Sequence, residues 1–402
     1  MSDHPVSARS IQIQQAESFR MLFDFARRSG YQERRLEPGV LDFTFGDPHE
    51  VPQTDYVEAL REAVLPKDEL WFAYKFSQEA AQAAAAASLS RHLGLDWPAD
   101  RIRMTTGGFG AIATSLKSVA DPGDEVVFSL PPWFLYESLA LEAGLVPVKV
   151  RVDAETFDLD LAAIEAAITP RTRVVIVNTP NNPTGRIYPE PTLRALAALL
   201  DEASARHGRR IYLVSDEPYN RLVFDGARFV SPAQFYPFTL LCYSYGKTLL
   251  SPGQRLGYLA LPPSMPQDVV DAVIEAVESV QIAAGWLFPN NVMQYATPRL
   301  EELSIDVAHL QAKRDLMVEG LRAVGYRLEV PEATFYLFPH SPVPDDEAFV
   351  QLLADLGVLV MPGRIFETPG FFRICLTATM ETIEASLPRF EAALARATEA
   401  AS

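Results

Sequence analysis

Lys247 lies in a setting that favours covalent chemistry. It stands among apolar and glycine neighbours in CYSYGKTLLSPGQRLGYLAL, with Ser244 before it and Arg255 after it. Desolvation of this kind lowers a lysine's pKa toward that of a usable nucleophile. A lysine taken alone is more often a solvated surface residue, so the interpretation depends on the polar residues that accompany it.

Asp216 and Tyr219 follow another apolar run, IYLVSDEPYNRLVF. An Asp at a strand end is often only a helix cap. A buried carboxylate has a second use there, because it would hold a ligand's ring nitrogen protonated: adjacent opposite charges favour both ionised forms. The segment therefore predicts either a cap or a carboxylate that pairs with a cationic ligand.

Turn residues crowd the end of a third apolar run, VVIVNTPNNPTGRIYPE, from Asn178 through Asn182 to Gly185. Asn, Pro and Gly favour turns everywhere. Two prolines and three asparagines at the carboxyl end of a strand, where open α/β sheets bind ligands, exceed what a turn requires. We interpret this segment as part of a ligand site.

Gly107 and Gly108 stand between a strand and a helix in RMTTGGFGAIATSL. Glycine backbone at a helix N-terminus exposes N–H groups, which predicts a phosphate cradle. The spacing is not G-x-G-x-x-G and lacks the acidic residue of a dinucleotide site, which disfavours a nicotinamide cofactor. Trp133, in SLPPWFLYE, is taken singly more often a core residue than a cofactor-stacking one.

The elements that must position these residues alternate from about residue 100, where short apolar runs are separated by helical patterns. Such alternation predicts an α/β fold with a mostly parallel sheet. After about Asn290 one long helical stretch leads into a mixture of strands and helices. The sequence predicts a large domain at 46–290 and a smaller α+β domain formed by 1–45 with 291–402. The strand candidates are EVVFS, VPVKVRV, RVVIVNTP, IYLVSDEP, TLLCYSYG and RLGYLAL.

The chain carries 35 Lys+Arg against 52 Asp+Glu, a formal charge of −17. A field of that sign repels nucleic acids and anionic membrane surfaces, and no basic cluster opposes it. We expect a soluble cytoplasmic protein, because the sequence has neither a signal-peptide pattern nor the roughly 20 apolar residues that span a bilayer. Cys242 and Cys375 lie in apolar runs and predict buried thiols, and the histidines show no metal-ligand spacing.

Taken together and in order, FGDP, TGG, PPW, NNPTG, SDEPY, SYGK, the following Arg and FFR resemble the aspartate aminotransferase superfamily of pyridoxal-phosphate (PLP) enzymes, in particular class I/II aminotransferases. The resemblance covers nearly the whole chain. It implies the fold type I architecture, with a seven-stranded, mostly parallel large domain. It also implies PLP as cofactor, an amino acid and a 2-oxo acid as substrates, and a homodimer with active sites at the subunit interface.

The resemblance implies roles for individual residues. Lys247 resembles the lysine that forms a Schiff base with PLP and moves the substrate proton, Asp216 the partner of the pyridine nitrogen, and Tyr219 a donor to the phenolic oxygen. The remaining matches are Asn182 as a second donor to that oxygen, Trp133 as the stacking aromatic, Gly107, Gly108, Phe109, Ser244 and Arg255 as the phosphate cup, and Arg373, Gly46 and Asn182 as substrate-carboxylate contacts.

Some positions depart from the family pattern near the cofactor and the pocket. Phe72 falls where the family has a tyrosine that reaches the partner subunit's phosphate, and Tyr74 could substitute for it, while Ser77 replaces a glycine. Thr334 replaces a glycine beside the substrate pocket. Arg364 stands where a small polar residue is common, and we favour a solvated loop arginine over a substrate contact.

The segment ESVQIAAGWLFPNNVMQYA also departs from dicarboxylate-specific relatives, because Trp286, Leu287 and Phe288 occupy it and no Lys or Arg lies between Arg255 and Arg299. Burying an unpaired carboxylate is costly. We therefore expect conversion of an aromatic, apolar or neutral amino acid, rather than a dicarboxylic one, to its 2-oxo acid. The alternatives are a lyase, decarboxylase, cyclase or oxidase on the same fold and, less favoured, a non-catalytic PLP-sensing module.

Overall fold

The computed structural model describes residues 5–286 and 288–401, so Leu287 lies outside the described residues. Within them the strands are β1 (Leu41–Asp42), β2 (Ile102–Thr105), β3 (Glu125–Leu130), β4 (Val146–Arg151), β5 (Thr172–Asn178), β6 (Tyr212–Asp216), β7 (Thr239–Ser244), β8 (Gly257–Ala260), β9 (Tyr336–Leu337), β10 (Val358–Leu359), β11 (Met361–Pro362) and β12 (Phe372–Cys375).

The helices of the described residues are α1 (Ala8–Gln15), α2 (Glu17–Arg28), α3 (Tyr31–Arg34), α4 (Thr54–Val64), α5 (Glu79–Leu93), α6 (Gly107–Val119), α7 (Tyr136–Glu142), α8 (Leu161–Ala167), α9 (Glu190–His207), α10 (Tyr245–Thr248), α11 (Gln267–Ala283), α12 (Asn291–Leu300), α13 (Val307–Val324), α14 (Asp346–Asp355) and α15 (Met380–Ala401). Short 3-10 turns occupy Ala99–Arg101, Pro232–Gln234 and Gly363–Phe366.

The central sheet has seven strands in the order β2, β8, β7, β6, β5, β3, β4. Neighbours from β7 to β4 pair in parallel, whereas β8 runs antiparallel to both of its neighbours. The central strands β5, β6 and β7 are buried on both faces, which explains their continuous apolar runs. The predicted fold class, α/β with a mostly parallel seven-stranded sheet, is confirmed.

The register of the sheet brings the candidate residues to one edge. Asn178 at the end of β5 lies opposite Asp216 at the end of β6, and Ser244 at the end of β7 lies opposite Gly257. Thr105, the last residue of β2, also lies opposite Gly257. Because the parallel strands share a direction, residues far apart in sequence meet at their carboxyl ends.

Helices cover the sheet on both sides. One apolar core contains α6 and α11, a second contains α8 and α9, and a third contains α4, α5 and α12. Cys242 is a buried free thiol of the first core, and Cys375 is a second one in the core described next. No helix among the described residues is long and apolar enough to cross a membrane.

A further core forms around β9, β12, α13, α14 and α15. It includes Phe43, because β1 pairs in parallel with β10, so the end of the N-terminal arm packs among C-terminal elements. β11, β12 and β9 form a small antiparallel sheet here.

The position of α12 bears on the predicted domain limits. Met293, Ala296 and Leu300 of this helix share a core with Tyr243 and Tyr258 of the central sheet. We therefore propose that the large domain extends through α12 rather than ending at 290, with 1–45 and the chain after α12 forming the small domain.

Candidate active site

Lys247 lies in α10, the short helix that follows directly from β7. Its Nζ atom is 5.8 Å from the ring centroid of Tyr219 and 5.7 Å from that of Phe335. It lines a cleft at the carboxyl edge of the sheet that encloses about 630 Å³, part of it open to solvent. Lys247 is thus half-buried, and two aromatic rings from distant parts of the chain lie near its amine.

Asp216 is 5% exposed and accepts a hydrogen bond of 2.6 Å from the hydroxyl of Tyr136. Burial raises the pKa of this carboxyl to about 7, although the Tyr136 hydrogen bond and the charge of Lys247 work in the opposite direction. An additional positive charge bound beside this carboxyl group would lower its pKa toward the ordinary value. Tyr136 was missed by the sequence analysis, although it lies only three residues after Trp133.

Asn178, Asn182 and Arg373 connect the end of β5 to the C-terminal region. The amide of Asn178 donates to the backbone oxygen of Asp216 at 2.9 Å, and its Oδ1 accepts from the backbone N–H of Asn182 at 2.7 Å. The Oδ1 of Asn182 in turn accepts from Nη1 of Arg373 at 3.0 Å. The clustered asparagines therefore hold the strand end and an arginine in one hydrogen-bonded network.

Gly107 and Gly108 begin α6, and the N-cap residue makes no side-chain hydrogen bond to the helix. A Cβ at Gly107 would lie 3.0 Å from Nη2 of Arg255, and one at Gly108 would lie 3.2 Å from Cβ of Ser244. Arg255 forms no ion pair with a described residue, and desolvation lowers its pKa. Uncapped helix amides beside an unpaired guanidinium make a site for an anion such as phosphate.

Arg373 is only 2% exposed, yet it pairs with no carboxylate of the described chain. Its Nη2 donates to the backbone oxygen of Thr44 at 2.9 Å, and its Nε has no hydrogen-bond partner. The guanidinium lies 4.2 Å from the ring centroid of Tyr336 and 4.9 Å from that of Phe366. A buried guanidinium with an unused donor is suited to an incoming carboxylate.

Gly46 lies beside these aromatic rings, because a Cβ there would approach the hydroxyl of Tyr336 to 2.9 Å and the ring of Phe335 to 3.0 Å. Tyr219 donates to the Tyr336 hydroxyl at 3.5 Å. Burial, together with Tyr336, raises the pKa of Tyr219 well above its usual value, so Tyr219 remains a donor at neutral pH. Tyr336 was also missed, since it reads as an ordinary strand residue in TFYLF.

Aromatic rings form another wall of the cleft. Phe109 lies edge-on to Trp133 with ring centroids 5.3 Å apart, and Trp133 is similarly edge-on to Tyr136 at 5.6 Å. Phe109 and Trp133 both line the cleft. Trp133 is therefore half-buried at the site rather than a fully buried core residue.

Tyr74 lies away from the cleft that its own chain lines. Tyr74 is 87% exposed and packs 5.0 Å from the ring of Phe288. Phe72 is likewise exposed, whereas the hydroxyl of Ser77 accepts from the backbone N–H of Met104 at 2.9 Å.

Two further departures from the family pattern, Thr334 and Trp286, have defined contacts in the structure. Thr334 adopts a φ of 74°, a conformation that favours glycine, and its hydroxyl accepts from the backbone N–H of Tyr336 at 3.1 Å. Trp286 packs against the core that contains α6 and α11, where Lys117 lies 5.2 Å from its ring.

Arg364 is 27% exposed and is not among the residues that line the cleft. It forms ion pairs with Asp345, Asp346 and Glu347 at 2.9, 3.0 and 2.7 Å. These carboxylates lie at the N-terminus of α14, so Arg364 fastens a 3-10 turn to that helix. As expected, the arginine lies in a short turn and makes no contact with the cleft, but the acidic helix start pairs it with carboxylates rather than leaving it to solvent alone.

A family model described as aminotransferase class I and II matches residues 39–390. The chain belongs to the class I and II aminotransferases. This aminotransferase is 33% identical to the aspartate/prephenate aminotransferase of Thermus thermophilus over 378 residues, which cover 90% of this chain and 93% of the relative. It is 32% identical to the probable aspartate/prephenate aminotransferase of Thermus aquaticus, with 90% and 93% covered.

Solved structures agree with this assignment. An aminotransferase from Eubacterium rectale superposes with a TM-score of 0.89 at 30% identity, covering 98% of this aminotransferase and 99% of that chain. The aspartate aminotransferase of Thermus thermophilus solved with maleate gives a TM-score of 0.82 at 28% identity, with 97% and 99% covered.

Enzymes of this family depend on PLP. The residues present fit that cofactor. The anion site at Gly107, Gly108 and Arg255 matches its phosphate, the buried acid Asp216 matches its basic ring nitrogen, and the amine of Lys247 lies in the same cleft. The three features occur together at the carboxyl edge of the sheet.

Proposed function

We propose that this aminotransferase converts a neutral amino acid with an apolar or aromatic side chain to its 2-oxo acid. The observation that carries the proposal is the chemistry of the cleft. Its described lining residues include Phe109, Ile112 and Trp133, and its cations are Lys247 and Arg255. With Arg255 assigned to the cofactor phosphate and Arg373 to the α-carboxylate, a second substrate carboxylate would lack a partner.

We further propose roles for the catalytic residues. PLP, when bound, supplies an electron sink that stabilises negative charge at the substrate Cα. Lys247 holds the cofactor through its amine and then moves the Cα proton. Asp216 pairs with the protonated ring nitrogen, and this cation would bring the pKa of Asp216 down from about 7. Tyr219 and Asn182 donate to the cofactor's phenolic oxygen.

The substrate carboxylate would lie against Arg373 and the backbone at Gly46. Arg373 has an unpartnered Nε and a planar fork that suits a bidentate carboxylate. Asn182 accepts from Nη1 of the same guanidinium, which fixes its orientation. This pairing would fix the Cα of the substrate relative to Lys247.

The relatives supply a comparison for the side-chain preference. The two Thermus relatives are named for aspartate and prephenate. A mutant form of the Thermus thermophilus aspartate aminotransferase was solved in complex with tryptophan, at a TM-score of 0.80 to this chain. The mutated protein thus binds an aromatic amino acid, so an aromatic substrate is compatible with this fold.

A half-reaction screen tests the proposal. Holoenzyme is mixed singly with phenylalanine, tyrosine, leucine, aspartate and glutamate, and loss of the cofactor's visible absorbance is followed while products are identified by mass. We expect the aromatic amino acids to react at least about tenfold faster than aspartate at equal low concentration, since one unpaired buried charge costs more than 1.4 kcal/mol. Faster reaction with aspartate would contradict the proposed preference. Ammonia, CO2 or peroxide among the products would instead indicate a lyase, decarboxylase or oxidase.

We also propose a homodimer in which Tyr74 reaches the phosphate site of the partner. The support is an exposed apolar stretch, because Leu70, Phe72, Tyr74 and Phe76 are each more than half exposed. Sedimentation should give twice the monomer mass. Mixed dimers of Lys247→Ala and Tyr74→Phe chains should regain activity that neither variant has alone, since one of the two sites is then intact. A monomer, or no regain, would contradict the shared site.

A further inference from the structure

Lys149 lies at the centre of a half-buried ion cluster. Its Nζ is 3.0 Å from Oε2 of Glu137 and 2.8 Å from both carboxylate oxygens of Glu367. The side chains of Lys149, Glu137 and Glu367 are 21%, 14% and 6% exposed. They come from β4, from α7 and from the residue that follows the Gly363–Phe366 turn. The cluster therefore joins the central sheet to the C-terminal region.

The N-terminus of α2 completes the cluster. The hydroxyl of Ser18 donates to Oε1 of Glu367 at 2.8 Å, and the backbone N–H of Glu17 donates to Oε2 of Glu137 at 2.8 Å. Two carboxylates against one ammonium leave a surplus negative charge, which the first turn of the helix stabilises. Burial alone would lower the pKa of Lys149, but the hydrogen bonds that it donates to Glu367 and Glu137 raise it, so the cation is retained.

Each carboxylate of the cluster adjoins a residue of the active site. Glu367 follows Phe366, whose ring lies 4.9 Å from the guanidinium of Arg373. Glu137 follows Tyr136, which donates to Asp216. Glu367 also has a φ of 51°, a strained conformation for a residue other than glycine. Such strain persists only where surrounding contacts fix the backbone, and here those contacts include the ion pairs, Ser18 and the backbone hydrogen bond from Glu367 to Arg364.

We propose that Lys149 and Glu367 are positioning residues that set the placement of Arg373 relative to Tyr136 and Asp216, and so control the affinity for the amino acid's carboxylate. The proposal rests on the assignment of Arg373 to that carboxylate. Phe366 transmits the effect through its contact with Arg373, whereas the phosphate site at the start of α6 has no residue in the cluster. Disruption of the cluster should weaken substrate binding while cofactor binding remains.

The test uses holoenzyme with Lys149→Met, Lys149→Arg, Glu367→Gln and the double variant Lys149→Met/Glu367→Gln. The matched control is Lys117→Met, because Lys117 is a half-buried lysine that pairs with Glu142 at 2.7 Å beside Trp286, away from the cleft. The measurements are KM and kcat for the best amino acid, and the dissociation constants of 3-phenylpropionate and succinate from cofactor absorbance. Cofactor affinity is measured separately.

For Lys149→Met we expect KM and both dissociation constants to rise about tenfold or more, with kcat changed less than about threefold, because small displacements of a binding group are costly. Lys149→Arg should restore most of the affinity. The double variant should bind no more weakly than Lys149→Met, because it leaves one stray carboxylate rather than two. Lys117→Met should behave as wild type.

An unchanged KM in Lys149→Met, an equal rise in Lys117→Met, or a loss of cofactor from Lys149→Met would each overturn the proposal. Failure of the proposed substrate preference gives a different result. In that case wild-type enzyme binds succinate more tightly than 3-phenylpropionate, while Lys149→Met still weakens both probes by the same factor.

Discussion

Replacement of Asp216 by Asn should stabilise the cofactor-free protein at alkaline pH while it weakens cofactor binding. Asp216 is buried, accepts one hydrogen bond from Tyr136 and has Lys247 as its cationic neighbour. Its pKa is raised to about 7 from 3.8, mainly by burial. Above pH 7 the folded cofactor-free protein must therefore hold a charge that its surroundings disfavour.

The sign and size of the effect follow from proton linkage. Between about pH 4 and pH 7 the folded protein keeps a proton that the unfolded chain has lost, so stability falls as pH rises through this window. A shift of about 3 pKa units corresponds to about 4 kcal/mol, which is an upper value. Asn carries no charge, so at pH 8 the Asp216→Asn protein should be about 2–4 kcal/mol more stable than wild type, with a smaller difference at pH 5, where less of the window has been crossed.

Urea unfolding of cofactor-free protein at pH 5 and pH 8, followed by tryptophan fluorescence, measures this difference. Glu217→Gln is the matched control, because Glu217 is fully buried and its pKa is also raised to about 7, mainly by burial. Both variants should lose part of the fall in stability with pH, but only Asp216→Asn should also lose cofactor affinity. If Asp216→Asn unfolds at a lower urea concentration than wild type at pH 8, or keeps the full pH dependence, the reasoning is refuted.

Three further substitutions give distinct outcomes. Arg373→Lys keeps a positive charge but loses the planar fork, so KM for the amino acid should rise about 10- to 100-fold in steady-state assays with cofactor absorbance unchanged; an unchanged KM would remove Arg373 from carboxylate binding. Gly257→Ala would place a Cβ 2.3 Å from the backbone oxygen of Tyr243. Thermal unfolding should therefore begin at a temperature several degrees lower, and cofactor titration should show weaker binding. Wild-type values in both measurements would count against a tight fit at this strand. Tyr136→Phe removes the hydrogen bond to Asp216 and raises the pKa of that carboxyl further. Cofactor affinity measured by equilibrium dialysis should therefore fall about tenfold. Equal affinity would show that Tyr136 does not stabilise the ionised form of Asp216.

The strands and most of the cleft could be predicted from sequence because the signals are local. An apolar run that ends in Asn178 or Asp216 marks both a buried strand and the polar residue at its carboxyl end. Parallel pairing then brings those ends together without any further information. The glycine pair at the start of α6 is likewise visible as a break between a strand and a helix.

Tyr136 and Tyr336 could not be predicted in the same way. Each is an aromatic residue in an apolar segment, where the default interpretation is a core side chain. Their importance arises from tertiary contacts, since Tyr136 is 80 positions from Asp216 and Tyr336 lies against Arg373. A hydroxyl on a buried ring signals a polar partner but does not identify it.

The sequence also does not show which core α12 packs against or which carboxylates pair with Arg364. An amphipathic helix shows that one face is covered but not by which core, so the sequence-based boundary at 290 and our proposed boundary after α12 differ. Arg364 is preceded by the acidic run at Asp345, and only the fold shows that the two lie together.

The pairing of β1 with β10 determines when, during synthesis of the chain, the surroundings of Arg373 can form. Thr44, whose backbone oxygen orients Arg373, is 329 positions from that arginine. During synthesis the central sheet can fold before the C-terminal strands and helices that pack against residues 5–45 have left the ribosome. A chain released before Arg373 would hold the strand-end residues of the cleft but would lack the arginine that we propose binds the substrate carboxylate, so we expect incomplete chains to be inactive toward amino acids.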